Sequence, residues 1–210
     1  MPDRHVDILR YLRSGAARRL REKGVPSLFR PSQLRDVGLT PDHIPALIRY
    51  GTVERVCRGL YHIVDEDPTQ HHALAIVSAR SPGSIVCLHS ALHVHGIRSR
   101  APALLWLAIP RHARAPRLPD FPVRIVRFSG TAWHFDVIRA DFAGVPARIT
   151  TPARTVVDCF RLGRVAGPDA GLEAFRDALK RRIVTIAELA RVEGILGSRR
   201  LRVLLAAHAA

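Results

Sequence analysis

Apolar positions in the first third of the chain recur at helical spacing and then switch to strict alternation. Leu9, Leu12, Ala16 and Leu20 share one side of a helix predicted over roughly residues 5–23, with Gly15 as a weak point and Gly24 and Pro26 as its end. A second, short helix opens at Pro31 and Ser32, turns Leu34 and Val37 inward and stops at Gly38, a residue suited to a left-handed cap. The third has the fullest start signal: Thr40 as N-cap, Pro41 at the first helical position, and Leu39 placed to staple against Ile44. Its predicted inward stripe is Ile44, Leu47 and Ile48, its end is Gly51, and Pro45 inside it predicts a kink. Residues 52–56 and 60–64 then alternate apolar and polar, joined across Cys57-Arg58-Gly59, as a hairpin with one face on the helices would.

The acidic run Asp65-Glu66-Asp67-Pro68 reads as a linker. Beyond it, His71 to Ala79 is predicted helical, Pro82-Gly83 a turn, and Ile85 to Leu88 a brief strand leading into a helix that ends at Gly96. Leu104 to Ile109 is apolar without interruption, the signature of a strand buried on both faces. Val123–Phe128, Trp133–Ile138 and Val145–Ile149 are predicted as further strands. The last third is helical: Thr151-Pro152 opens a helix through Leu162, Asp169 to Arg182 forms another, Thr185 and Glu188 make a capping box, and Ser198 starts the last. Three short helices and a hairpin are the winged helix-turn-helix order. The expected class is therefore α+β, with a winged helix over residues 1–66 and a mixed α/β domain over 69–210 that holds a small sheet and several helices.

Charge adds a partner. The chain carries 33 basic and 18 acidic residues, a formal +15, and such a field attracts polyanions through counterion release. Only Lys23 and Lys180 are lysines; a GC-rich genome explains that preference for arginine, but not the excess of bases over acids. No apolar run reaches the length of a membrane span and the N-terminal residues have no signal-peptide core, so the expectation is a cytoplasmic protein away from membranes. Cys57, Cys87 and Cys159 are isolated, which argues against a disulfide framework or a zinc ribbon.

A third helix with Ile44, Leu47 and Ile48 inward leaves Asp42, His43, Ala46 and Arg49 for a major groove. Arg49 suits a guanine edge or a phosphate, His43 donates to either, and Asp42 accepts from cytosine. Arg55 and Arg58 flank the hairpin tip, while Arg30, Ser32 and Gln33 open the second helix, where backbone N–H groups favour phosphate.

Three blocks carry a family resemblance. Phe29-Arg30, Gln33-Leu34, Gly38-Leu39, Ile44, Leu47-Ile48, Gly51, Val53, Arg55-Val56 and Arg58-Gly59-Leu60-Tyr61 resemble the N-terminal domain of AbiE-type antitoxins. Leu88-His89-Ser90-Ala91-Leu92 with His95-Gly96 is similar to the opening of that family's second domain, and Thr151-Pro152 with Arg154 to Asp158 to its later helix. The resemblance spans nearly the whole chain. It implies a repressor of its own operon that counteracts a nucleotidyltransferase-like toxin encoded beside it; an inverted-repeat operator further implies two copies on double-stranded DNA. Some relatives continue into a very-short-patch-repair-like nuclease domain, for which no Asp…Glu-x-Lys metal site is found before Ala210.

Other constellations are weaker. His89, His93 and His95, with His71 and His72 upstream, lack a cysteine or carboxylate at ligand spacing, so neither metal nor cofactor is expected. Arg154 and Asp158, four apart, read as a surface ion pair. Ser90 beside His89 has no orienting acid and the wrong geometry for a triad. Residues 98–127 hold seven arginines, Arg98, Arg100, Arg111, Arg114, Arg117, Arg124 and Arg127, against Asp120 alone; Arg111, Arg114 and Arg117 form a basic patch on an exposed loop that suits a polyanion or is merely solvated. The rival to a non-enzymatic regulator is a nucleic-acid-processing enzyme, a nuclease relative using this basic second domain, which the absence of clustered carboxylates disfavours.

Overall fold

The computed structural model describes residues 15–64 and 70–209, and the fold is mixed α and β with two small sheets. The chain divides into two compact units, one of Met1–Arg80 with Asp141–Pro146 and one of Ser81–Ala140 with Ala147–Ala210. The expected linker at 65–68 and the predicted helix up to residue 14, with Leu9 and Leu12, lie outside the described residues.

In the first unit, helix α1 (Ala16–Glu22) buries Ala16 and Leu20. The predicted second helix is a 3₁₀ segment, Pro31–Val37, with Leu34 and Val37 buried and Gly38 left-handed at φ 78°. The third begins as 3₁₀ over Pro41–His43 and becomes α over Ile44–Arg49, here α2. The place where the α-helix begins alters one expectation, and the burial pattern alters another. Pro45 falls in the first turn of α2, where its missing N–H interrupts no helical ladder, so the reason for a kink is gone. Ile44 and Leu47 are buried, but Ile48 is 40% exposed and does not face inward.

Strands β2 (Val53–Cys57) and β3 (Leu60–Ile63) form the expected hairpin, with a register shift between Arg55 and Cys57. A two-residue strand β1 (Leu28–Phe29) pairs antiparallel with β3 and completes the order β1-β3-β2. Two residues are too few to show alternation, so only the tertiary pairing reveals β1. Leu20, Phe29, Leu34, Leu47, Val53 and Ile63 meet in one core. Helix α3 (Gln70–Arg80) closes the unit: the His72 ring lies 4.0 Å from that of buried His62, and Arg80 Nε donates to the Val56 carbonyl at 3.1 Å.

The second sheet has the order β6-β5-β4-β8-β7. Its strands are β4 (Ile85–Val86), β5 (Leu105–Pro110), β6 (Val123–Phe128), β7 (Val137–Phe142) and β8 (Val145–Thr150). β5 runs parallel to β6 and antiparallel to β4, and β4 is parallel to β8. Residues 105–109 are all buried, as the uninterrupted apolar run predicted. Helices α4 (Leu88–Val94), α6 (Pro152–Arg161), α8 (Ala170–Lys180), α9 (Ile186–Leu196) and α10 (Arg199–Ala209) contribute to the main core, while α5 (Thr131–His134) and α7 (Gly163–Ala166) are single turns. Caps fall where the sequence put them: Thr151 Oγ1 accepts from Arg154 N at 3.2 Å, and Thr185 and Glu188 cap each other. Cys87 and Cys159 are buried in this core and burial pushes both thiols up, while Cys57 is half-buried.

The predicted strand at Trp133–Ile138 is not formed. Thr131–His134 is a helical turn and β7 starts at Val137. The cause comes from elsewhere in the sequence: Arg154 on α6 donates Nη2 to the Ala132 carbonyl at 2.8 Å and Nη1 to that of Phe135, closing the turn. Arg154 and Asp158 themselves are both 0% exposed and 2.6 Å apart, so they form a buried pair and not the surface pair expected.

Ala143 and Gly144 join β7 to β8 with φ of 51° and 82°, and Asp141 Oδ1 accepts from Gly144 N at 2.7 Å. Two positive φ values suit a tight hairpin turn but strain an alanine. Ala143→Gly is expected to raise stability by about 0.5–1 kcal/mol, read as a higher urea midpoint at unchanged slope; a lower midpoint would show that the strain is not there.

Candidate nucleic-acid interface

The predicted contact residues of the first unit fall on two of its features. At the helical end, Arg30 has extended backbone (φ −96°, ψ 153°) just before the 3₁₀ segment, and its N–H donates to Gln33 Oε1 at 2.8 Å. Gln33 is therefore engaged as a cap through its oxygen, whereas Arg30 and Ser32 are exposed. His43 is engaged in the same way: its Nδ1 accepts from Thr40 N at 3.0 Å, which leaves Nε2 as the protonated, outward-capable nitrogen of the neutral ring. Asp42 and Arg49 are exposed. Beside Arg49 the surface also shows Ile48 and Tyr50, the latter 59% exposed, and neither was anticipated there. The i, i+3, i+4 spacing of Ile44, Leu47 and Ile48 suits one buried face and carries no signal that Ile48 is exposed.

The second feature is the hairpin. Arg55 and Arg58 are both exposed, and Arg55 Nε donates to the Cys57 carbonyl at 3.4 Å across the bulge. Helix α2 and the hairpin are tied together through the core and through Thr52 N, which donates to the Leu47 carbonyl at 2.9 Å. Cations on the hairpin are thus carried by a folded frame, which lowers the entropy lost on engaging a partner.

In the second unit the seven arginines divide. Arg98 pairs with Glu173, and Arg124 lies over the Trp106 ring at 5.9 Å. Arg127 Nη1 donates to the carbonyls of Pro110, Arg111 and Ala113 at 3.3, 2.7 and 2.8 Å. One guanidinium on three carbonyls holds the start of the basic loop in a turn, and leaves Arg111, Arg114 and Arg117 exposed to solvent.

The histidines have local roles. His89 Nε2 meets the Ala166 carbonyl at 2.7 Å and His95 Nε2 that of Thr150 at 2.6 Å, so each ring is held as an N–H donor. Ser90 is buried and accepts from Trp106 N at 2.9 Å. Among the described residues no group of three or more His, Cys, Asp or Glu side chains could hold a metal ion, and no helix is long and apolar enough to cross a membrane.

Burial lowers the affinity of His89 and His95 for a second proton, only partly countered by their carbonyl partners. The unfolded rings take up protons near the ordinary histidine value of about 6.5, before the folded ones do, so this stability is complete above that value and is lost as pH falls through it. The thermal midpoint is expected to fall between pH 7.5 and 5.5, with a flatter decline in His95→Gln. Identical pH profiles for the two proteins would remove His95 from the explanation.

No protein-family model and no curated protein sequence matches the chain significantly. A solved structure does resemble it. The crystal structure of the RV2827C protein from Mycobacterium tuberculosis aligns with a TM-score of 0.51 at 21% identity, over 88% of this chain and 71% of that one. At that identity the likeness is one of fold. It bears on how the elements are arranged and not on what Arg49, Arg58 or Arg111 touch.

Proposed function

We propose that the protein is a DNA-binding transcriptional repressor whose first unit is a winged helix, and that it is the antitoxin of an AbiE-type pair. The observation that carries the reading is the order of elements in the first unit. Helical segments at 16–22, 31–37 and 41–49 share a core with a hairpin whose exposed tip carries Arg55 and Arg58. In this reading α2 and the turn before it enter the major groove of double-stranded DNA, with Arg49, Asp42 and the Nε2 of His43 available to base edges. Arg55, Arg58, Arg30 and Ser32 take phosphates, and the formal charge of +15 strengthens their encounter with a polyanion. Gln33 contributes as the cap that fixes Arg30. The exposed ring of Tyr50 next to Arg49 is a further contact group that suits a sugar or a thymine methyl.

The antitoxin part of the reading rests on the three sequence blocks that resemble AbiE-type antitoxins, and its partner would be a nucleotidyltransferase-like toxin. The test of DNA recognition is quantitative binding to the protein's own promoter and to random duplex at one salt concentration. Tighter binding to the promoter is expected, and Arg49→Ala is expected to cost about 1–3 kcal/mol there while changing random-duplex binding less. Equal affinity of the unaltered protein for the two duplexes would refute specific recognition.

A further inference from the structure

A cleft in the second unit, between α8 and the segment 98–104, is not used by any step above. It has a volume of about 540 Å³, within the range of small-ligand sites. Its apolar side is Pro102, Ala103, Leu104 and Trp106, and its polar side is His89, Arg98, Arg100 and Asp177. Arg98 is held by Glu173 and lies 3.5 Å from His89 Nδ1; Arg181 Nη2 donates to Ser99 Oγ at 2.9 Å. Two links, one from α8 and one from the residue that caps it, therefore pin the segment that forms the opposite wall, and the cleft is formed before any ligand arrives.

The chemistry of the lining is mixed in a particular way. His89 holds its Nε2–H against the Ala166 carbonyl, which makes Nδ1 an acceptor facing the cleft arginine. The residue before it, Leu88, is fully buried in the left-handed region at φ 47°, a strain that L side chains rarely accept and that folds tend to keep where a side chain must be aimed. Arg100 is exposed, whereas Arg124 lies over the ring of Trp106, which is itself buried. Asp177 is the carboxylate among these cations that lines the cleft itself. A track for bare phosphates has no use for it, since it repels them. A carboxylate suits hydroxyl donors, the exposed guanidinium of Arg100 suits a phosphate, and the apolar wall of Pro102, Ala103 and Leu104 suits a flat base.

We propose that this cleft binds a ribonucleoside phosphate: base against Pro102 and Leu104, ribose hydroxyls on Asp177, phosphate on Arg100. The same chemistry is offered by a free nucleotide and by the end of a single RNA strand. The site is independent of duplex recognition by the first unit.

The test is titration of the full-length protein with AMP, GMP, CMP and UMP, with dAMP, with inorganic phosphate and with a short single-stranded RNA. Binding is read from tryptophan emission and confirmed by calorimetry. Saturable ribonucleotide binding is expected, weakened on the order of tenfold by Arg100→Ala through loss of a charge-assisted contact. Asp177→Asn is expected to erase a preference for AMP over dAMP. Both side chains lie at the surface of the cleft, and an unchanged thermal midpoint in each variant separates loss of binding from loss of fold. Tighter binding of the RNA than of AMP, lost in the same variants, supports the site and assigns the strand end as its source. Absence of saturation by every ribonucleotide at millimolar concentration would overturn the proposal. So would competition by inorganic phosphate equal to that by AMP, or wild-type affinity in Arg100→Ala.

Discussion

Arg154→Met is expected to destabilise the protein by about 3–5 kcal/mol, because it leaves the buried Asp158 carboxylate without the fully buried one of its two cations. The loss extends beyond one ion pair. Arg154 donates Nε to Asp158 at 2.6 Å, closes the 131–134 turn through the carbonyls of Ala132 and Phe135, and lays its guanidinium 4.9 Å from the centre of the Phe128 ring. A methionine of similar length fills the space but satisfies none of those acceptors. Arg161 still reaches the other oxygen of Asp158 at 2.6 Å, so the carboxylate is not wholly abandoned. Burial pushes the Asp158 carboxyl up despite both guanidiniums, which means that desolvation is not offset in full. The double variant Arg154→Met, Asp158→Leu is therefore expected to lose much less stability than the sum of its two single variants. Chemical denaturation at neutral pH reads all of this. An unchanged midpoint in Arg154→Met, or strict additivity in the double, would show that the buried pair does not hold this part of the fold.

The same arginine shows where the amino-acid pattern stops being legible. Elements with several turns or a full strand of consistent pattern are found from sequence: β5 from its unbroken apolar run, α6 and α9 from their caps, the β2–β3 hairpin from alternation. What sequence misses depends on distant residues or on very short segments. The 131–134 turn is closed by a side chain some twenty positions later, so local alternation at 133–138 suggests a strand that tertiary hydrogen bonds forbid. β1 exists only as a partner of β3. Arg154 and Asp158 at a spacing of four describe a surface pair and a buried pair equally well, and only packing tells them apart. At the candidate interface the residue types were readable, and Arg30, Ser32, Asp42, Arg49, Arg55 and Arg58 are exposed as a contact surface requires. Local capping was not readable, and it engages one side of both Gln33 and His43. The cleft of His89, Arg98, Arg100 and Asp177 draws on three separate elements, and no spacing rule joins them.

If the protein is the proposed repressor and antitoxin, Arg55→Ala with Arg58→Ala in the full-length protein is expected to abolish promoter repression while leaving growth rescue against the proposed nucleotidyltransferase-like toxin intact. Both side chains are exposed on the hairpin and outside the core, so the fold should not change. If each holds a phosphate, the double variant loses roughly two charge-assisted contacts, on the order of 3 kcal/mol, or about a hundredfold in affinity. Its binding should also flatten in salt dependence by about two. Full-length variants serve this purpose better than a fragment ending at Pro68. Such a cut would remove α3, and with it the His72 ring that covers His62 and the Arg80 guanidinium that caps the Val56 carbonyl. Hairpin defects would then be mistaken for loss of DNA contacts. The complementary variant replaces Arg111, Arg114 and Arg117 with alanine and keeps Arg127, so that the loop retains the guanidinium that shapes it. If the second unit meets the toxin through this loop, that variant keeps repression and loses rescue. Loss of both activities in the hairpin variant, at an unchanged thermal midpoint, would show that neutralisation acts through DNA binding and that the two roles are one.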